Sequence, residues 1–242
     1  MPTVHTSLHC LARTWNINAA LSTRGMQETG LLYVLEPGLR ELYPLASTRS
    51  VAFARYAEHT NTHPFLLPLY AGILLSLEEQ IACGLLPPHL LDSVKKAAPT
   101  TLSAIGDALF SGSLLPMWVL GSIILVLAHL PQWALGISLA LVLMLTLFRA
   151  LSFFIGLRQS MRALQWLRTL NVIDWVERIK LVNALLLAVL LCQLVPVPLV
   201  EWQQYTLGLA VLAGVAWCIG RRYLRRIWLI GIALLLVILY NQ

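Results

Sequence analysis

Apolar residues in this chain gather into long runs, and the runs lengthen toward the C-terminus. Met117–Leu130 and Trp133–Phe148 flank the turn HLPQW, and Leu181–Val200, Thr206–Gly220 and Ile227–Tyr240 follow. Runs of this length with few charges predict helices that cross a membrane, where a span takes about 20 residues. The shorter ones need tilt or local thinning of the bilayer. Residues 1–55 are mixed instead. Leu8–Leu21 reads as a helix lying in the membrane interface. The stretch MQETGLLYVLEPGLRELYP reads as two short helices, broken at Pro37 and Gly38.

Between these parts lies the informative region, residues 56–116. Its first apolar run, Phe65–Leu77, is too short for a comfortable crossing and stops at Glu78, Glu79 and Gln80, which suggests a re-entrant hairpin. The next stretch, Lys95–Pro116, is apolar enough to enter a membrane. It is nevertheless interrupted by Pro99, Gly106, Gly112 and Pro116, and it carries Asp107 near its middle. Arg149–Lys180 then reads as a basic linker containing an amphipathic surface helix. The expected fold class is all-α: a polytopic membrane protein with re-entrant or broken helical hairpins and about five crossings. Three regions are expected: interfacial N-terminal helices over 1–55, a broken region over 56–116, and transmembrane helices over 117–242 with the cytoplasmic linker at 149–180.

Composition agrees. Of 242 residues, 58% are hydrophobic and only 12% charged, about half the charge of a soluble domain. The net charge of +6 does not point to nucleic acid, because the basic residues sit in loops beside apolar runs rather than in a stripe of readers. They set an orientation instead. The 149–180 linker and Arg221–Arg226 belong in the cytoplasm, the loops near Pro131 and Glu201 outside, with the N-terminus cytoplasmic and the C-terminus external. Cys10, Cys83, Cys192 and Cys218 form no CxxC pair and read as reduced structural residues.

A carboxylate at membrane depth costs about 2.5–3.5 kcal/mol and is expected to face a cavity or a partner. Asp107 is therefore the first candidate site residue. Asn61 and Thr62, at the bend before Pro64, are candidates for binding hydroxyl groups. Glu78 and Glu79 mark either the water boundary of a helix or an inward-facing acceptor for a polyhydroxylated ligand. His59 and His63 share helical spacing, but Pro64 disfavours helix there and no third ligand is spaced for zinc. No metal and no cofactor is expected.

Four elements occur in one order: MQETGLLY (from Met26), HTNTHPF (His59–Phe65), LSLEEQ (Leu75–Gln80) and IGDALF (from Ile105). In that order and spacing they resemble the IID subunit of the mannose/fructose/sorbose family of sugar phosphotransferase systems. The resemblance implies a multi-pass subunit of the bacterial inner membrane that is non-catalytic alone. It implies pairing with a IIC subunit, assembly as a trimer of IIC–IID heterodimers, and a hexose-type sugar translocated as soluble IIA/IIB carriers phosphorylate it. Asn61, Thr62, Glu78, Glu79 and Asp107 would then bind the sugar, with Asp107 placed to accept the proton of the sugar hydroxyl. Thr60, Ser111 and Leu115 depart from the family pattern, and this motivates an alternative, a scaffold or regulatory subunit without sugar handling. A free-standing ion-coupled transporter fits least, since no internal repeat is visible.

Overall fold

A computed structural model describes residues 2–169 and 171–194. The crossings expected over 206–220 and 227–240, and the end of the one over 181–200, lie outside the described residues. Contacts divide the chain into Met1–Leu190 and Leu191–Gln242, and the first unit is the one described here.

Among the described residues every extended element is helical. The helices are α1 (Val4–Arg13), α2 (Glu28–Leu42), α3 (Ala46–Ala54), α4 (Leu67–Ala82), α5 (His89–Gly106), α6 (Leu115–Leu127), α7 (Pro131–Gln159), α8 (Arg162–Thr169) and α9 (Val172–Leu194). A 3-10 stretch, Thr14–Ala20, follows α1, and a π-helical stretch, Asp107–Leu114, joins α5 to α6. Thr3 caps α1, its side chain accepting from the Thr6 amide.

The buried centre is α4, whose residues from Leu67 to Glu78 are all buried. It packs chiefly on α7, and also on α2 and α5. Two glycines make the α4–α7 contact close. A Cβ at Gly72 would lie 2.3 Å from the Phe153 carbonyl oxygen, and one at Gly156 would lie 2.4 Å from the Leu69 carbonyl oxygen. The two backbones therefore touch, as small residues permit between membrane helices.

Three expectations change. Residues 28–42 form one helix through Pro37, not two. Proline at that position removes the amide that would bond the Tyr33 carbonyl, and the Arg13 guanidinium donates to that carbonyl instead, at 2.8 Å. Residues 89–127 likewise run as one helix of 39 residues. The punctuation by glycine and proline produces a wide π-helical turn there rather than a break. The expected linker at Arg149 is not a linker at its start. Arg149 is 3% exposed inside α7, which runs on to Gln159. Two helices among the described residues, His89–Leu127 and Pro131–Gln159, are long and apolar enough to cross a membrane. They form a hairpin closed by a bond from Trp118 Nε1 to Ser138 Oγ, 2.8 Å.

Gly72→Ala should lower the thermal midpoint in detergent, with a loss of about 1–3 kcal/mol from overpacking. Gly136→Ala, where a Cβ meets nothing within 4 Å, should leave the midpoint unchanged or raise it. Equal midpoints for the two variants would contradict the close α4–α7 approach.

Candidate functional site

Residues 55–66 have no helix or sheet to satisfy their backbone, so other groups do it. Gln27 donates its backbone amide to the Thr60 carbonyl at 2.9 Å, and its side-chain Oε1 accepts from the Thr62 amide at 2.8 Å. The Thr60 amide donates to the Gly25 carbonyl at 3.3 Å. At the other end, Arg149 donates to the Pro64 carbonyl at 2.8 Å and to the Thr14 hydroxyl at 3.0 Å. The rings of Trp15 and Phe65 lie 4.2 and 5.9 Å from that guanidinium, close enough for cation–π attraction. The MQETG element and α7 thus hold the HTNTHPF element between them.

The LSLEEQ element braces the same segment from inside. Glu78 is fully buried and accepts from Tyr43 at 2.7 Å, Arg55 at 2.6 Å and Tyr56 at 2.9 Å. Both carboxylate oxygens are engaged, which is what a buried charge requires. Burial and the adjacent Glu78 carboxylate push the Tyr43 phenol up to about 12 and the Tyr56 phenol well above its ordinary value. Burial pulls the Arg55 guanidinium down, but Tyr43 and Glu78 outweigh it and leave it raised.

The IGDALF element meets HTNTHPF on the far side. Gly106 brings the long helix against His63, where a Cβ would lie 2.3 Å from the His63 Cβ. His63 stacks on Phe110, with centroids 5.3 Å apart. The Phe65 amide donates to His63 Nδ1 at 3.3 Å, which places the imidazole proton on Nε2, and Nε2 lies 3.2 Å from Ser111 Oγ. Burial lowers the His63 pKa, with Asp107 opposing that shift. A π-helical turn leaves carbonyls without their usual donors. Here Ser113 Oγ donates to the Ala108 carbonyl at 2.8 Å, and Asn183 of α9 donates to the Ser113 carbonyl at 3.0 Å.

The five candidate residues fare differently. Asn61 is exposed and lines an open cavity of about 430 Å³ between residues 58–61 and α5. Thr62 is buried, and its hydroxyl has no hydrogen-bond partner. Glu78 is committed to Arg55 and the two tyrosines. Glu79 is half-buried. Asp107 is exposed on the π-helical turn, 3.5 Å from Ser103 Oγ. The described residues do not enclose it, as they would a wall residue of an internal pocket. Sequence reasoning did not single out Gln27, Arg55 or Asn183. For Arg149 the signal was present: a cation between the apolar runs 133–148 and 150–157.

Comparison with known proteins adds identity to this geometry. The profile of the mannose/fructose/sorbose family IID component of the phosphotransferase systems matches residues 3–241. The mannose-specific EIID component of Escherichia coli K12 is 33% identical over 95 residues, 38% of this chain and 34% of that protein. The fructose permease IID component of Bacillus subtilis 168 is 28% identical over 93 residues, again 38% and 34%. The aligned segments thus span about a third of those relatives' lengths. A solved chain described as a membrane protein superposes with a TM-score of 0.74 at 19% identity, covering 99% of this chain and 97% of that one. A chain from the cryo-EM structure of the mannose transporter ManYZ with microcin E492 gives 0.59 at 20% identity, covering 100% and 97%. At such identities the likeness is one of fold.

Glu78→Gln should destabilise the chain by about 3 kcal/mol, because it leaves Arg55 largely buried without its counter-charge. A thermal midpoint equal to the parent's would contradict the bracing role. The His63 imidazole is held neutral, its folded pKa below the unfolded value. The stability it contributes is complete above about 6.5 and is lost as pH falls through the lower folded value. Acidification from pH ~7.5 to ~5.5 should therefore lower the parent's midpoint more than that of His63→Gln.

Proposed function

The chain belongs to the IID component family of the mannose/fructose/sorbose phosphotransferase systems, and from that premise we propose that it is the IID half of a sugar permease. In this reading it works with a IIC subunit in the bacterial inner membrane. A hexose-type sugar crosses there as soluble IIA and IIB carriers phosphorylate it, and the heterodimers assemble as a trimer. The N-terminus is cytoplasmic and the C-terminus external, as the distribution of lysine and arginine requires.

One observation carries the reading: Asp107 sits on a π-helical turn of a membrane-length helix, against the His63 segment, on a face the described residues leave open. A carboxylate there needs a polar neighbour from elsewhere. A IIC subunit and a sugar hydroxyl between the two subunits would supply it. Asn61 would share the ligand, since an amide both donates to and accepts from hydroxyls. Thr62 lies behind it with an unpartnered hydroxyl, and Glu78 acts as a positioning residue for the segment. Glu79 is the acid of the pair assigned to the sugar. Asp107 would accept the hydroxyl proton at a reach of about 3 Å.

Reconstitution in vesicles with a IIC subunit and the soluble carriers tests this. Phosphorylated sugar should appear inside only when this chain is present, and Asp107→Asn should abolish uptake while assembly persists. Normal uptake by a well-assembled Asp107→Asn complex would remove Asp107 from the site. Uptake without this chain would favour a scaffold role.

A further inference from the structure

Residues 158–180 join α7 to α9, and toward them each of these helices sends an exposed apolar stripe that ends in an arginine. On α7, Met144, Leu147 and Leu151 are exposed at spacings of three and four, and exposed Arg158 follows two turns later on the same face. On α9, Leu185, Val182, Arg178 and Trp175 share a face at spacings of three, four and three, and all four are exposed. Other faces of the two helices are spent on the core: Leu145, Ser152 and Gly156 are buried on α7, and Val176 and Leu190 on α9.

From Trp133 to Arg158, α7 rises about 38 Å at about 1.5 Å per residue. A bilayer with its headgroups is about 40–45 Å thick. With exposed Trp133 at one boundary, the place an interfacial tryptophan takes, Arg158 reaches the headgroups of the other. Trp175 stands beside Arg178, its ring 5.6 Å from the guanidinium.

The guanidinium groups of this boundary are not used up within the described residues. Arg158 and Arg162 are exposed and make no side-chain ion pair or hydrogen bond among them, and Arg178 makes only its contact with Trp175. Arg13, Arg40 and Arg55, by contrast, each have a carboxylate. The stretch 158–180 carries five cations and two carboxylates. Asp174 accepts from Asn171 Nδ2 in the first turn of α9, where the helix dipole favours an acid. The stretch is left net positive.

We propose that this end of the molecule binds anionic phospholipid, with acyl chains along the two apolar stripes and headgroup phosphates on Arg158, Arg162 and Arg178. A guanidinium offers a phosphate two parallel donors. An apolar stripe that leads directly to it fits a chain joined to that same headgroup. A free anion would use the arginines and leave the stripes uncovered, and an acidic protein surface would do the same. A zwitterionic lipid brings its own ammonium, which the three arginines repel. A net-negative lipid satisfies both parts of the surface, as basic residues beside membrane spans do with anionic leaflets. Membrane insertion is the one premise, and the site serves a permease half and a scaffold alike.

The test is titration of the full chain in a non-ionic detergent with phosphatidylglycerol, with phosphatidylcholine of the same chains, and with glycerol 3-phosphate, bound molecules being counted by native mass spectrometry. Phosphatidylglycerol should bind about tenfold more tightly than phosphatidylcholine, and glycerol 3-phosphate should not displace it. Arg158→Gln with Arg178→Gln should weaken phosphatidylglycerol at least about fivefold and leave the lipid-free thermal midpoint unchanged, since neither arginine is paired. Leu151→Asn with Leu185→Asn should weaken it too, at unchanged charge. Arg24→Gln, an exposed arginine outside this surface, should change nothing. Equal affinity for the two lipids, full binding by the double arginine variant, or a loss matched by Arg24→Gln would overturn the proposal. Displacement by glycerol 3-phosphate, or indifference to the leucine changes, would assign the arginines to a soluble anion instead.

Discussion

A chain segment that belongs to no helix must still satisfy its backbone, and the first unit is arranged around that requirement. Residues 55–66 meet it with side chains drawn from distant parts of the sequence. Arg149 is the most demanding of these. It is a buried guanidinium in a membrane-length helix, and it is tolerable because the Pro64 carbonyl, the Thr14 hydroxyl and two aromatic rings surround it. The same group ties the N-terminal arm and the HTNTHPF segment to α7. Gln27 does the corresponding work at the other end with one donor and one acceptor.

With that segment held, the long helix can rest on it. Gly106 allows the approach, the stack of His63 on Phe110 fills the contact, and the π-helical turn follows immediately. A π turn inserts an extra residue and shifts the helical face. Here it occurs where the chain passes from the polar face of α5 to the largely apolar α6. Its carbonyls are not abandoned, because Ser113 and Asn183 supply donors. The turn is a supported feature and not a local failure of the helix.

Two carboxylates, Glu78 and Asp107, stand in opposite environments. Glu78, on the face of α4 turned to the core, is surrounded by an arginine and two phenols that occupy both of its carboxylate oxygens. Asp107 has Ser103 beside it and otherwise opens outward. The first is a brace whose bonds are complete within the chain. The second has only Ser103 as a hydrogen-bond partner among the described residues.

Much of this was legible in the residue pattern. Because long apolar runs leave the backbone no other way to satisfy itself in lipid, hydropathy marked the helical membrane class and the apolar run Trp133–Phe148 within α7, though not the continuation of that helix to Gln159. The four motifs in order carried the family. Pattern alone misjudged Pro37, Gly106 and Gly112, because whether such residues break a helix depends on what replaces the lost bonds. Arg13 replaces one, and Ser113 and Asn183 serve the π turn. Pattern also left Glu78 ambiguous, since the residues that claim it, Tyr43, Arg55 and Tyr56, are 35, 23 and 22 positions away. Local order along the chain determined which segments are apolar and which residues carry charge. Only the tertiary structure decided which charges are already paired, because pairing is set by distance in space, and the folded chain brings remote positions within 3 Å of one another.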